Sequence, residues 1–213
     1  MKNLKVVVEI LSPIVMPKFP IHLDALIYYG VGFDFDKLDQ VLAKDDASGV
    51  YRASAMQFLR IAGETIKETA AVHATRTYWE DFKLPFSHKA GTITVKGGPY
   101  RKKMTKRNAI STQYVQFYAV GDAEKIKYVL SSLGFIGKSN QQGFGQIGNI
   151  EIEEVENDFS FFDQNAELAR ILPIEMVETN KSYLKQFVRY KPSYVQSESA
   201  DCFLPNFKLI TVN

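Results

Sequence analysis

The chain has 213 residues, of which 46% are hydrophobic and 23% charged, and its formal net charge is only +2. These values predict one globular domain over residues 1–213 with a full hydrophobic core. They exclude a surface that is basic all over, so any nucleic-acid site must concentrate its charge locally. The lone cysteine, Cys202, excludes a disulfide within the chain, and we expect neither a metal site nor a cofactor.

The N-terminal part begins with a predicted strand at residues 4–11, where β-branched and apolar side chains predominate. The apolar run stops at Ser12-Pro13 without a small-residue cleavage site, so we expect a strand and not a signal peptide. No stretch approaches the length of a transmembrane helix, and we expect a cytoplasmic protein with no membrane partner. Residues 21–32 predict a short helix that ends near Gly30 and Gly32.

The patterns of the next segment are weaker. Residues 33–46 are acidic and lightly amphipathic, which predicts a surface helix or loop. Residues 50–63 predict strands around a small turn, and residues 64–71 predict a helix. Residues 72–82 alternate in the manner of a strand.

A concentration of positive charge follows, which we call the basic arm. Residues 82–120 contain no Asp or Glu. Within this span, residues 96–107 carry six cations, and these twelve residues are the basic arm. The glycines and proline at 97–99 predict a hairpin or extended arm. Its aromatic and cationic side chains are typical of nucleic-acid contacts, and the alternative is a solvated charged hairpin with no ligand. The candidate binding residues of this arm are Tyr100, Arg101, Lys102, Lys103, Lys106 and Arg107.

The last third has the clearest pattern. Residues 112–122 predict a strand, Asp122 caps a predicted helix that stops at Gly134, and residues 147–156 predict another strand. Together with the first strand and helix, this order predicts an α+β fold with a ferredoxin-like, RNA-recognition-type βαββαβ core. The basic arm would then lie in an insertion at about residues 64–112. We expect the tail around Cys202 to be rich in loops.

The junction between that helix and the last strand, residues 137–148, is rich in glycine and amide side chains, and we call it the glycine loop. It lacks the phosphate-loop pattern of nucleotide enzymes, and its helix-loop-strand order is the reverse of a dinucleotide fingerprint. Glycine permits positive φ, and exposed amides donate to phosphate oxygens, although a merely flexible connection is an equal alternative. The candidate binding residues are Gly137, Lys138, Ser139, Asn140, Gln141, Gln142, Gly143, Phe144 and Gly145.

A helix followed by Gly-Lys-x-x-x-x-Gly-Phe-Gly and a strand resembles the glycine-rich loop of the CRISPR-associated RAMP superfamily. Residues 20–30 ("PIHLDALIYYG") and 115–148 are similar to the type IV effector subunit that caps the 5′ handle of CRISPR RNA. Residues 158–176 resemble its Asp-x-Ser segment followed by Arg-x-x-Pro. The loop departs from its relatives at residues 140–142, where Asn-Gln-Gln replaces frequent Arg or Lys.

The resemblance implies a non-catalytic subunit that grips the CRISPR RNA 5′ handle with the glycine loop and with His22 and Asp24 of the first-helix motif. The basic arm would act as a thumb that caps the first backbone subunit. The implied partners are CRISPR RNA and a filament-forming backbone subunit, with a large subunit and target DNA as further candidates.

Two alternatives remain open. The first is a metal-independent endoribonuclease that processes CRISPR RNA with His73, near Arg76 and Tyr78, or with His88 beside Lys89. The second is a ferredoxin-like scaffold that binds no nucleic acid. A separate acidic set could suggest a metal site, but Glu151 and Glu153 alternate with isoleucines, so we expect a plain exposed strand face instead. The set consists of Glu151, Glu153, Glu154, Glu156 and Asp158.

Overall fold

The computed structural model describes residues 1–61, 67–75, 103–206 and 209–212. Within these ranges the protein is α+β, with antiparallel sheets and few helices, which confirms the predicted class and is compatible with a ferredoxin-like core. The helices are α1 (Leu23–Gly30), α2 (Phe35–Asp39) and α3 (Ala123–Leu133). The strands are β1 (Lys2–Ile10), β2 (Gln57–Ile61), β3 (Lys67–Thr75), β4 (Lys103–Ser111), β5 (Tyr114–Gly121), β6 (Ile147–Glu154), β7 (Leu172–Pro173), β8 (Leu184–Arg189), β9 (Ser199–Leu204) and β10 (Leu209–Val212).

The main sheet has the strand order β10-β2-β5-β1-β6. The inner strand β1 pairs with β5 and β6 in antiparallel fashion, so that Val6 lies opposite Phe117 on one side and Ile152 on the other. Strand β2 is antiparallel to β5, and β10 adds to β2 in parallel. Five strands joined in this way give a rigid base for the loops at their ends.

The core lies between one face of this sheet and helices α1 and α3. Every second side chain of β1 is buried, which places Val6 and Val8 in one cluster with Ile27 of α1 and Ile126 of α3. Helix α3 begins where predicted, because the Asp122 carboxylate accepts a hydrogen bond of 3.1 Å from the Lys125 backbone N–H. It ends at a left-handed glycine, as the sequence indicates.

Strands β3 and β4 form a separate antiparallel pair that lies between β2 and β5 in the chain. The predicted helix at residues 64–71 is wrong for residues 67–71, which belong to β3. Pairing with β4 satisfies the backbone of this strand over nine residues, and such long-range pairing overrides local helix propensity. The strand expected at residues 72–82 is confirmed for 72–75, and the rest lies outside the described residues.

The C-terminal segment forms a second sheet of order β7-β9-β8. The expectation of a loop-rich tail around Cys202 is therefore confirmed for residues 190–198, which have no helix or strand, and wrong for Ser199–Leu204, which form β9. Cys202 is fully buried in β9, opposite Gln186 of β8 and Pro173 of β7, and burial raises the pKa of its thiol to about 11. The buried side chains at the end of β9 pack against apolar residues of the neighbouring strands. This burial stabilises the strand, although the residues at its start are polar.

Two weaker predictions have mixed outcomes. The segment 33–46 contains the short helix α2, as expected. Of the described residues 50–61, only Gln57–Ile61 forms a strand of several residues, and residues 62–63 lie outside the described ranges. Glu151 and Glu153 of β6 lie on the exposed face as predicted, where Glu153 pairs with Lys5 at 2.7 Å. In the described ranges, no helix has the length and apolar character needed to cross a membrane.

Candidate nucleic-acid interface

The glycine loop has a backbone that ordinary residues rarely adopt. Gly137, Gly143 and Gly145 have φ values of +95°, +83° and +69°, and Ser139 lies in the same left-handed region at +64°. A short 3₁₀ turn, Asn140–Gln142, lies between them. These positive φ values explain why the sequence places glycine at these points.

The loop is anchored to the segment that follows β1. The N–H of Lys138 donates to the Val15 carbonyl at 2.9 Å, and the N–H of Gly145 donates to the Pro13 carbonyl at 2.9 Å. A Cβ at position 145 would lie only 1.8 Å from the Ile136 carbonyl oxygen. The alternative of a merely flexible connection therefore does not fit the described contacts, because the loop is packed against its neighbours.

The outer side of this anchored loop offers hydrogen-bond donors. Lys138, Asn140, Gln141, Gln142 and Gly143 are exposed. Within the described part of the chain, the N–H groups of Ser139, Asn140 and Phe144 donate to no acceptor, and Lys138 has no carboxylate partner. The loop itself contains no Asp or Glu. Such a surface suits an anion bound by backbone amides and one cation.

The structure places His22 and Asp24 in the interior and not on this surface. Their side chains are 2% and 0% exposed. The N-cap residue of α1 is His22, and its side chain makes no capping hydrogen bond. The Asp24 carboxylate instead accepts hydrogen bonds from Arg170 at 3.1 Å and from the Tyr194 hydroxyl at 2.9 Å.

Burial determines the protonation of this cluster. It lowers the pKa of His22 well below the usual range, and the charge of Arg170 lowers it further, so the imidazole is neutral. The His22 Nε2 atom accepts a hydrogen bond of 3.1 Å from the Ile171 N–H, and its ring stacks on Tyr194 with centroids 5.6 Å apart. Burial also raises the pKa of Asp24, which Arg170 and Tyr194 oppose. Because His22 is neutral, buried and already hydrogen-bonded, it positions its neighbours. We therefore expect exposed groups, and not His22, to bind a phosphate.

Two charged residues of the segment 158–176, Arg170 and Asp158, have structural roles that the sequence did not reveal. Arg170, in the Arg-x-x-Pro segment, is fully buried and donates to the carbonyls of Tyr51, Ala53 and Tyr190. Asp158, in the Asp-x-Ser segment, accepts a hydrogen bond of 2.8 Å from Arg52. Both therefore fasten the C-terminal segment to residues 51–53. The family motif already singled out both residues in the sequence. Their partners at residues 51–53 lie more than a hundred positions earlier in the chain, so the sequence did not show these contacts.

The basic arm is described only in part. Lys103, Lys106 and Arg107 lie on β4, opposite Thr75, Val72 and Ala71 of β3. Tyr100, Arg101 and Lys102 lie outside the described residues, as do the glycines and proline at 97–99. The register shows that the C-terminal part of the basic arm continues a β-ladder and so has a defined backbone path.

The residues of the nuclease alternative are not brought together by the described structure. His73 lies on β3 opposite Thr105. Arg76, Tyr78, His88 and Lys89 lie outside the described residues. Among the residues that are described, no group of three or more His, Cys, Asp or Glu side chains is arranged to hold a metal ion.

The antiparallel sheet, with an anchored glycine loop between its helix α3 and strand β6, is what we expect of a RAMP-like CRISPR-associated protein. A family model described as "Csf3: CRISPR type IV associated protein Csf3" matches residues 2–202. The chain therefore belongs to this family, and the resemblance found in the sequence is confirmed. No curated protein matches the chain significantly. Membership supports a role as a subunit of a type IV CRISPR effector complex.

Proposed function

We propose that this protein is a non-catalytic CRISPR RNA-binding subunit, which grips the 5′ handle and caps the backbone filament of a type IV effector complex. We propose further that residues 1–213 form a single domain with a ferredoxin-like βαββαβ core. The strand order β2-β5-β1-β6, with α1 after β1 and α3 after β5 in the chain, supports this topology. The β3–β4 pair then belongs to an insertion at about residues 64–112.

The observation that carries the proposal is the anchored glycine loop in a chain of this family. Its backbone is held by hydrogen bonds to residues 13–15, while its free amides and Lys138 face outward. Contacts from backbone amides and one cation recognise a sugar-phosphate chain without reading its bases. This suits a handle whose path must be held, while pairing of the guide selects the target.

The charge of the outer face of the main sheet favours the glycine loop, and not this face, as the RNA site. In RNA-recognition-type domains, aromatic residues of this face stack on bases. Here the register puts Tyr114 and Tyr118 on that face, but Tyr118 is buried against Phe159. The face also carries Glu9, Glu151 and Glu153 beside Lys5. Carboxylates repel the RNA backbone, so we place the RNA at the glycine loop and the basic arm instead.

The remaining predicted residues have separate roles in this proposal. Tyr100, Arg101, Lys102, Lys103, Lys106 and Arg107 form a thumb that caps the first backbone subunit. His22 and Asp24 contribute indirectly, because they hold the buried cluster on which the neighbouring surface rests. The partners are CRISPR RNA and a backbone subunit, with a large subunit and target DNA as further partners. No observation in the described residues favours the nuclease or the scaffold alternative.

The test incubates the full-length chain with labelled repeat RNA in EDTA and scores binding and cleavage on gels. We expect an intact, shifted handle RNA. Binding should weaken in the variant Lys138→Ala/Gln142→Ala and in a variant with Arg101, Lys102 and Lys103 neutralised, because phosphate contacts are lost. The matched control is Lys127→Ala, which removes an exposed cation of α3.

Two outcomes would contradict the proposal. A cut at one defined phosphate would assign the processing nuclease. If the chain holds no RNA alone, it is co-expressed with the backbone subunit, and a complex that then lacks handle RNA would overturn the RNA-binding role.

A further inference from the structure

A cleft of about 530 Å³ opens beside the glycine loop. Its walls come mainly from the segment 17–22, from Lys138 of the loop, and from β8 with the residues that follow it, and Ala25 and Ile171 complete them. Its volume lies within the range of about 300–1,000 Å³ that is usual for pockets that hold small organic ligands. The side chains important here are Lys18, Phe19, Lys138, Phe187, Arg189 and Tyr194.

The charge of this cleft is of one sign. Lys18, Lys138 and Arg189 line it, and none of the described residues that line it is Asp or Glu. In the part of the chain with described side chains, these three cations have no carboxylate partner, whereas Lys2 and Lys5 each have one and Arg52 has two. Unpaired cations around a concave surface attract an anion, because no internal carboxylate competes for them.

The cations are combined with aromatic rings. Phe187 is 68% exposed on β8, at the edge of the second sheet within the described residues. Lys18 places its Nζ atom 5.2 Å from the centre of the Phe19 ring. Arg189, two residues after Phe187 on the same face of β8, uses Nε to donate to the Ser197 carbonyl at 3.0 Å. Its two Nη groups donate to no described acceptor.

An exposed phenyl ring beside unpaired cations is the combination that binds single-stranded nucleic acid. The ring stacks on an unpaired base, and the cations neutralise the adjoining phosphate. Lys138 belongs both to the glycine loop and to the cleft, so the two are continuous, and a strand bound by the loop would reach the cleft. A duplex does not fit this combination, because its bases are stacked on each other and are not free to stack on Phe187.

We infer that this cleft binds one unpaired nucleotide of the CRISPR RNA handle, with its base against Phe187 and its phosphate between Lys138 and Arg189. The inference rests on the proposed function and deepens it. It adds a base-stacking position to a site that otherwise contacts only the RNA backbone. It also gives the second sheet, formed by β7, β8 and β9, a direct part in RNA binding.

The experiment measures binding of the full-length chain to fluorescent single-stranded handle RNA and to the same RNA in a duplex. We expect Phe187→Ala to weaken single-strand binding about five- to a hundredfold, and Phe187→Trp to retain it. Leu184→Ala is the matched control, because Leu184 is 66% exposed on the same strand but does not line the cleft. Arg189→Ala should also weaken binding, because it removes a phosphate contact. Its control is Lys185→Ala, since Lys185 lies on the same strand but does not line the cleft.

A second readout locates the base. Single handle positions are replaced by 2-aminopurine, whose fluorescence is quenched by stacking. We expect one position to be quenched on binding, and this quenching to disappear in Phe187→Ala but not in the variant Lys138→Ala/Gln142→Ala at saturating protein. Such a split would show stacking in the cleft that is separate from the grip of the loop.

The outcomes distinguish the cleft from the proposed function. If Phe187→Ala binds as the wild type does while the loop variant is weakened, the cleft inference is overturned and the proposed function stands. Equal affinity for the duplex and the single strand would also overturn the cleft. If the wild-type chain holds no RNA, alone or with the backbone subunit, both proposals are overturned.

Discussion

Arg170 and Asp24 lie 146 residues apart in the chain and form an ion pair of 3.1 Å with both side chains fully buried. Taking two charges out of water costs several kcal/mol for each ion, so the pair needs further hydrogen bonds. Arg170 makes these by donating to the carbonyls of Ala53 at 2.9 Å and Tyr190 at 2.8 Å. The pair thus joins helix α1, the segment around residue 53 and the C-terminal sheet.

Breaking this pair from one side should destabilise the fold strongly. Asp24→Ala leaves the guanidinium of Arg170 buried without its carboxylate, and we expect the free energy of unfolding to fall by about 3–5 kcal/mol. Urea unfolding followed by circular dichroism measures this change. The control is Lys2→Met, which removes an exposed ion pair with Glu154 and should change the free energy by about 0–1 kcal/mol. Equal effects of the two substitutions would contradict a structural role for the buried pair.

His22 should make stability depend on pH. Its folded-state pKa is lowered, so below a pH of about 6.5 the unfolded chain takes up a proton that the folded chain does not. The free energy of unfolding should therefore fall from pH 7 to pH 5, by up to about 1.4 kcal/mol per pH unit. His22→Gln should remove this part of the pH dependence while His73 and His88 remain. The measurement compares the free energy of unfolding of both proteins at pH 5 and pH 7. A variant with the same pH dependence as the wild type would contradict the assignment of this dependence to His22.

The glycine loop should tolerate a methyl group at one glycine and not at another. Gly145→Ala combines a φ of +69° with a contact of 1.8 Å to a backbone oxygen, whereas Gly143→Ala has a φ of +83° and open space around it. We expect Gly143→Ala to cost about 1 kcal/mol of stability and Gly145→Ala several kcal/mol, because only the second must displace backbone. Thermal unfolding of both variants measures the difference. Similar losses would show that φ alone limits the loop.

The salt dependence of RNA binding should report Lys138. If this lysine neutralises one phosphate, Lys138→Ala lowers the slope of log K against log salt by about 0.7 for a single strand. Titrations of handle RNA at several salt concentrations give this slope. Lys127→Ala, an exposed cation of α3, serves as the control and should leave the slope unchanged. A loss of affinity in Lys138→Ala without a change of slope would show that the contact is not to phosphate.

Local chemistry explains the parts of the fold that were predicted correctly. Alternation places Val6 and Val8 inside, the Asp122 carboxylate caps α3, and Gly134 ends it in the left-handed region. The positive φ values of the glycine loop follow in the same way from its composition. Each of these features is decided by residues a few positions apart, which is why a single sequence is sufficient to predict them.

The elements that were missed depend on partners far away in the chain. Residues 67–71 form part of β3 because β4 pairs with them, and Cys202 lies in a strand because β7 and β8 flank it. Neither partner is visible in local periodicity, so propensity predicts a helix and a loop instead.

By itself, the sequence determined the α+β class, the bounds of α3, the chemistry of the glycine loop and the family. Only the tertiary structure decided that His22 and Asp24 are buried with Arg170, and that Lys18, Lys138 and Arg189 surround one cleft. The physical reason is that burial and charge pairing depend on which distant segments meet. Helix caps, strand alternation and left-handed glycines depend only on neighbours along the chain.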